Sequence, residues 1–544
     1  MQRNTVLGLA LLGLCLSACG GRSAGDASGS GQSGDDFVVS IGIGEPKVLI
    51  PSGTTESWGA EVLDALFTNL VEYDENFRPY PVAAESITSS DNKVWIIKLR
   101  AGWTFHNDEP VTADSYINAW NAGAYGPNAH NGNYFFDKIE GYDALNPRDA
   151  DTAPSAKKLV GLAKIDDLTF QVTLKDPYVN FNSMLGYTAF LPLPLAAFSD
   201  LANNEIAPSY NEAPIGQGPF RVVGTWQHDQ LIRTLRYEKY AGPQKPAIAG
   251  IDYKIYQTLT TQYQDLLAGQ LDIVPEIAPE NIASAPADLG DRFQQSPAST
   301  IQTLAFPTFD PRFAKVEIRR AISMAIDREE ITRVIFRDAQ RPLRAFVSPL
   351  VPGYREGICG EACEFNPQKA RQLFEAAGGA KAVGGRLEIA YNVDGGHKPW
   401  VDATCNQLRT NLGVECVGNP QPKFSELLIK AERKEPMGMF RMGWVFDYPA
   451  IENYLGPLYS THGSSNYYGY SNAQFDSLLA AGDRAANPDD ALKLYQQAED
   501  LLVRDLPVVP LRYMLNSAGH STRVANVHVD VFRRVKVREL TPAP

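Results

Sequence analysis

Apolar residues along this chain follow two periods, and the periods change places many times. FVVSIGI (37–43) is a short β-branched run and predicts a first strand. In 58–70, Val62, Leu63, Leu66, Phe67 and Leu70 recur at helical spacing. VWIIKLR (94–100) and LTFQVTLK (168–175) alternate as half-buried strands do. From 318 the pattern is helical, with Ile318, Ala321, Ile322, Ala325 and Ile326 on one face. Asp327 is placed to cap the next helix, and Glu330 follows at the spacing of a capping box. Asn366 and Pro367 open a helix that turns Ala370, Leu373, Phe374 and Ala377 inward and stops at Gly378. Pro488 opens another over 488–503, with Leu494, Tyr495, Ala498 and Leu501 inward. Strands and helices alternate throughout, so the class is mixed α/β.

The first residues break this pattern. Arg3 precedes a short apolar run, Val6 to Leu16, too short for an ordinary membrane-spanning helix. It reads as a signal peptide over 1–18. The string LSAC (16–19) resembles a bacterial lipobox, which makes Cys19 the expected lipidated N-terminus. GGRSAGDASGSGQSGDD (20–36) has too few apolar residues to fold, so 19–36 is expected to be a flexible tether. Such an anchor and tether suit the extracytoplasmic face of a Gram-positive cell membrane.

Removing Cys15 and Cys19 leaves Cys359, Cys363, Cys405 and Cys416. An even set in an exported chain suggests disulfides. Of the possible connectivities, local pairing of Cys359–Cys363 and Cys405–Cys416 is preferred. A four-cysteine zinc site is the rival, though the spacings fit zinc ribbons poorly.

A chain of 544 residues exceeds one ordinary core, so two or three lobes are expected. The formal net charge of -13 disfavours binding to a phosphate backbone, so no nucleic-acid partner is expected. No nucleophile elbow, HExxH or phosphate loop is present. Gly216-Gln-Gly218 runs into Pro219 and cannot open a helix. His106, Asp108 and Glu109 could ligate a metal, but a solvated turn is the simpler reading, and no metal or cofactor is expected. RMGWVFDYP (441–449) sets one acid and one base among aromatics. A carboxylate there needs a partner: either a protein cation, as at any strand end, or a ligand ammonium.

Several stretches together resemble the family 5 extracellular solute-binding proteins, the oligopeptide- and dipeptide-binding components of ABC importers. AESITSSDNKVWIIKLRAGWTFHNDEPVTADSYINAW (84–120) is similar to a family block, with Ile87 in place of its usual tryptophan and Asn107-Asp108 in place of Asp-Gly. PIGQGPF (214–220), EIRRAISMAIDREEI (317–331), YGYSNAQFDSLL (468–479) and RDLPVVPLRY (504–513) follow in the family's order. The resemblance implies a two-lobed periplasmic-binding-protein-like fold (type II, cluster C) with an inserted domain. Lobe I would take 37–57, 206–300 and 511–544, the inserted domain II 58–205, and lobe II (domain III) 301–510.

It also implies a function, capture of an oligopeptide between the lobes for ABC permease and ATPase subunits, by a monomer that is not an enzyme. In G-W-V-F-D-Y, Asp447 would meet the peptide's α-ammonium, with Trp444 beside the peptide and Tyr448 next in the motif. Arg441 and His397 resemble positions that meet the peptide's carboxylate, and Asn392 lies in the same YNVDGGHKPW segment as His397. Glu45 aligns with an acid near the ligand, and Tyr134 lines the cleft. The alternatives are a relative that binds a nickel chelate, heme, oligosaccharide or siderophore, and a secreted hydrolase.

Overall fold

Two thirteen-residue strands, Phe293–Ala305 and Val508–His520, run antiparallel through the middle of the largest sheet. In this computed structural model, which describes residues 36–147, 149 and 152–544, that sheet has eleven strands. Expectations for the signal peptide, for Cys19 and for the tether before Asp36 lie outside the described residues. On one side the order runs Phe220–Val222, Leu231–Arg236, Gly250–Ile255, Val38–Ile43 and Ile273–Val274 up to Val508–His520. On the other, Phe293–Ala305 is followed by Met439–Trp444, Arg386–Asn392 and Glu415–Gln421, while Gln340–Pro342 pairs separately with Val508–His520.

The central pair changes register along its length. Phe293–Pro297 faces 515–519, and Ile301–Ala305 faces 508–513, with slips between Pro297 and Ile301 and between Gln302 and Thr303. Proline supplies no ladder donor, and an extra residue bends and twists a strand. The two halves of the sheet therefore meet at a built-in bend rather than as one flat surface.

Residues 84–173 make a second, antiparallel sheet: Ala84–Ser89, Val94–Leu99, Thr169–Thr173 and Leu162–Asp166. The helix Ala113–Ala124 belongs to the same aromatic core, where fully buried Trp120 donates to the Phe190 carbonyl at 3.0 Å. His106, Asp108 and Glu109 are engaged separately here. The Gly216 amide donates to His106 Nδ1, Asp108 pairs with Lys239, and Glu109 accepts from the amides of Leu195 and Ala196. No cluster of His, Cys, Asp and Glu among the described residues could hold a metal ion. Nor is any helix among them long and apolar enough to cross a membrane.

Local chemistry accounts for where elements end. The helix expected over 58–70 runs from Ser57 to Leu66, started by Glu56, whose carboxylate accepts from the amides of Trp58 and Gly59 at 2.8 and 2.8 Å. It stops early because the Gly218 amide takes the Leu66 carbonyl at 2.8 Å. A side chain at Gly216 would lie 1.9 Å from that oxygen, so the GxG spacing serves close packing. Leu70 is buried beyond the helix.

Asp327 caps Arg328–Val334 by accepting from the Glu330 amide at 2.9 Å. The return arm of the expected capping box is missing. Gln407 accepts from the Asp327 amide and donates to Glu330 instead, because the helix Lys398–Leu412 packs there. Asn366 and Asn487 cap Pro367–Ala376 and Pro488–Asp505, and Gly378 follows the former at φ 117°. In the latter Leu494 is only half-buried, while Glu499 is fully buried and pairs with Arg355 at 2.9 Å. The disulfides are local: Cys359–Cys363, and Cys405–Cys416, which ties a helix to the strand Glu415–Gln421.

Candidate ligand-binding site

The strand Met439–Trp444 lies between Phe293–Ala305, antiparallel, and Arg386–Asn392, parallel. Where it leaves the sheet, the chain turns through 445–450 into the helix Glu452–Tyr459. Asn453, at the start of that helix, stitches the turn. Its Oδ1 accepts from the Asp447 amide at 2.9 Å and from Trp444 Nε1 at 3.2 Å. Its Nδ2 donates to Asp447 Oδ2 at 3.2 Å.

Asp447 keeps a half-buried surface, yet protein crowds its carboxylate closely enough that desolvation pushes its pKa up to about 7. The Asn453 bond opposes that rise and the nearby Glu452 charge adds to it. Its charge in turn helps raise the phenols of Tyr73, Tyr134 and Tyr187, whose own burial is the larger cause. Those tyrosines come from residues 73–187, so the acid projects from one part of the chain toward another. Among the described residues no cation pairs with it.

Aromatic rings build the walls. Tyr134 is 42 % exposed and stacks on Phe135, which stacks on Tyr187 with centroids 4.0 Å apart. Phe446 meets Phe532 of the C-terminal segment edge-on at 5.2 Å. Tyr448 points into the core of the second sheet. Its hydroxyl and that of Tyr178 lie 2.7 Å apart, and both donate to Glu452 Oε2 at 2.7 Å. It joins two parts of the chain behind the aspartate.

The expected basic residues stand on different elements: Arg441 in the strand Met439–Trp444 itself and His397 at the start of the helix Lys398–Leu412. Arg441 is buried, donates from Nε to Asn392 Oδ1 at 2.7 Å, and lies 4.5 Å over the Phe424 ring. His397 Nδ1 accepts from Trp400 Nε1 at 3.1 Å, just ahead of the helix Lys398–Leu412. Glu45 is engaged elsewhere, with His228 Nδ1 at 2.8 Å and the Asp229 amide at 3.0 Å. No hydrogen bond or ion pair joins it to Asp447 among the described residues.

Beside the bend in the central strands lies a cavity of about 340 Å³. Its lining includes Glu276, Phe336, Gln340, Met514, Asn516 and Arg533, and Arg533 pairs with Glu276 at 2.8 Å. That size is within the range of small-ligand pockets. Sequence reasoning missed this wall, because its residues come from four separated segments with no local motif. Tyr178 was missed for the same reason, and Asn453, only six residues past Asp447, because no local pattern marks its side chain as turning back onto the acid.

Comparison with known proteins places this arrangement. The chain is 24 % identical over 516 residues to the oligopeptide-binding protein OppA of Bacillus subtilis, covering 92 % of each. It is 25 % identical over 573 residues to heme-binding protein A of Haemophilus influenzae, covering 96 % of each. Among solved structures, the periplasmic binding protein DppA of Helicobacter pylori, in complex with the peptide STSA, superposes with a TM-score of 0.75 at 20 % identity. That match covers 94 % of this chain and 99 % of that one, and establishes a shared two-lobed fold. The model of the bacterial extracellular solute-binding proteins, family 5, matches residues 78–466, and the chain belongs to that family.

Proposed function

We propose that this protein captures peptides between its lobes and delivers them to an ABC importer, acting by binding and not by catalysis. The observation that carries this reading is Asp447: a carboxylate among aromatic rings, held by Asn453, with no protein cation to neutralise it. A peptide's α-ammonium is the partner such a group lacks, and a charge-assisted bond in that setting is worth roughly 1.5–3 kcal/mol. Trp444 and Tyr134 flank the peptide, and Arg441, Asn392 and His397 stand toward its carboxylate end. Peptide main-chain groups pair with cleft backbone, so side chains are read loosely. The oligopeptide-binding relative supports this choice. Heme offers carboxylates and no ammonium, and would leave Asp447 unpaired.

The reading divides the chain into lobe I (37–57, 206–300 and 511–544), domain II (58–205) and lobe II (301–510). The register slip at Pro297–Ile301 supports the crossing point. LSAC (16–19) supports lipid anchoring at Cys19, on a Gram-positive membrane, of a monomer that works with permease and ATPase subunits. Native mass spectrometry of the gently desalted protein, with sequencing of released ligands, tests the central claim. A ladder of short peptides is expected. A single non-peptide mass, or indifference to a peptide library, overturns it.

A further inference from the structure

His228 has a carboxylate on each of its ring nitrogens. Its Nδ1 lies 2.8 Å from Glu45 Oε1, and its Nε2 lies 2.9 Å from Glu212 Oε2. A neutral imidazole has one N–H and one lone pair. It can donate to one of these carboxylates and must turn its lone pair on the other. Only the imidazolium donates to both, so this geometry calls for the charged ring. Among the described residues neither carboxylate forms another ion pair. The two acids, Glu45 first and then Glu212, hold the imidazole above its usual pKa, and theirs are the charges that act on it. Buried Trp226 lies against the ring, with centroids 4.1 Å apart.

The three residues come from three parts of the chain. Glu45 follows the strand Val38–Ile43 and opens a strap, 44–56, that leads into the helix Ser57–Leu66. Glu212 ends the short helix Pro208–Glu212. His228 belongs to the turn before the strand Leu231–Arg236, where Asp229 stands at φ 59°. The Asp229 amide donates to Glu45 Oε2 at 3.0 Å, and its carboxylate accepts from Gln257. Asn211 secures the same place: its Oδ1 accepts from the Leu49 amide at 2.8 Å, and its Nδ2 donates to Glu212 Oε1 at 3.0 Å.

Further along, the strap meets the aromatic wall near Asp447. The Gly132 amide donates to the Ser52 carbonyl at 2.9 Å, and a side chain at Gly132 would lie 2.7 Å from that oxygen. Thr188 Oγ1 donates to the Thr54 carbonyl at 3.4 Å. Gly132 stands two residues before Tyr134, and Thr188 directly follows Tyr187. Ser52 Oγ also bonds His130 Nδ1 at 2.8 Å, but burial pulls that imidazole down to about 4, so this pin stays neutral. Of the two histidines on the strap, only His228 changes charge near neutrality.

We propose that His228 is a proton-operated clamp: charged, it pins the strap 44–56 to the helix Pro208–Glu212, and on losing its proton it loosens the strap that backs Tyr134 and Tyr187. The clamp acts on the empty protein and does not depend on which ligand the cleft takes. An unfolded histidine titrates near about 6.5. The folded value is raised, so the clamp is fully present below about 6.5 and is lost as pH rises through the folded value. The ring is exposed and each bond is screened by water, so the effect is local opening and not global unfolding.

The test follows the histidine ring nitrogens of the protein by long-range proton–nitrogen NMR, with His228 identified by its loss in His228→Gln. Both nitrogens are expected to be protonated at about pH 6, with a midpoint above about 6.5 that falls in Glu212→Gln. Hydrogen exchange, corrected for the intrinsic rate, is read at the Leu49 and Gly132 amides between about pH 6 and pH 9. Protection should drop by about threefold or more through the His228 midpoint, and should stay level in His228→Gln. A midpoint at or below about 6.5, or one that Glu212→Gln leaves in place, overturns the clamp. So does protection that varies with pH in the same way in the wild type and in His228→Gln. If His228→Gln folds poorly, the exchange profile of Glu212→Gln decides, since it should drop at a lower pH than that of the wild type.

Discussion

Asn453 holds Asp447 from two sides, accepting from its backbone amide at 2.9 Å and donating to its carboxylate at 3.2 Å. One amide side chain thus fixes both the turn and the direction of the acid. Among the described residues the second carboxylate oxygen accepts no hydrogen bond, and on the proposed reading it is the one that meets the peptide's ammonium. A neutral anchor also leaves the charge in place, where a lysine or arginine would have cancelled it.

Asp447→Asn is expected to weaken peptide binding by about two orders of magnitude or more, since breaking a desolvated charge pair costs roughly 3–5 kcal/mol. N-acetylated peptides should lose a comparable amount on the wild type and nothing further on the variant. Calorimetric titration of the four combinations checks this. Additive losses would mean that the ammonium and Asp447 do not meet.

Affinity should also depend on pH. Burial raises the Asp447 pKa to about 7 in the empty protein, and a peptide α-ammonium titrates near about 8. The pair requires an ionised acid and a protonated amine, so affinity should peak between about 7 and 8 and fall on either side. Stability of the empty protein has the opposite sign on the acid side. The folded state holds the Asp447 proton to higher pH than the unfolded state does. Stability therefore falls as pH rises from about 4 to about 7. Relative to the wild type, Asp447→Asn should be most stable above pH 7, with the gap closing toward pH 4. Melting curves of both proteins across that range give the answer, and parallel curves would mean that Asp447 titrates normally.

The GWVFDY segment made the setting of Asp447 and Trp444 among aromatic rings legible in the sequence, because that setting is a local pattern, while their roles toward a ligand rest on the family resemblance. Their supports were not legible. Tyr178 reaches Glu452 only after the second sheet folds against the helix Glu452–Tyr459. Glu45 meets His228 across a sheet order that no spacing reveals. The helix at 58 was legible in type but overran its end, since its last carbonyl is claimed by Gly218 from a distant loop. Period and caps set local elements, and partners brought in by topology set their limits.

The Cys405–Cys416 bridge closes a short span, eleven residues apart, between the helix Lys398–Leu412 and the strand Glu415–Gln421. Replacing both cysteines by serine should cost roughly 2–3 kcal/mol on the chain-entropy model. Arg441 and His397 stand near the other ends of these elements, so the loss should reach ligand affinity only through local opening. Hydrogen exchange over 398–421 should quicken before any change at Ala113–Ala124. Uniform quickening would mean that the bridge supports the whole fold.

Tyr178→Phe tests how the second sheet is fastened to the segment that carries Asp447. The Tyr178 and Tyr448 hydroxyls both donate to Glu452 Oε2 at 2.7 Å. The Val179 amide donates to the Asp483 carbonyl at 2.9 Å, and Lys138 lies 4.2 Å over the Tyr178 ring. Phenylalanine keeps the ring and its packing and removes one buried hydrogen bond to a charged acceptor, worth roughly 1.5–3 kcal/mol. If this joint forms as the lobes close, the variant should release peptide about tenfold faster or more, with association little changed. Its melting temperature without ligand should then be unaltered. If the joint is permanent, the cost appears instead in the melting temperature of the empty protein, and the release rate stays the same. Stopped-flow release and melting curves on one preparation separate the two, and only the first result makes Glu452 part of the closing machinery.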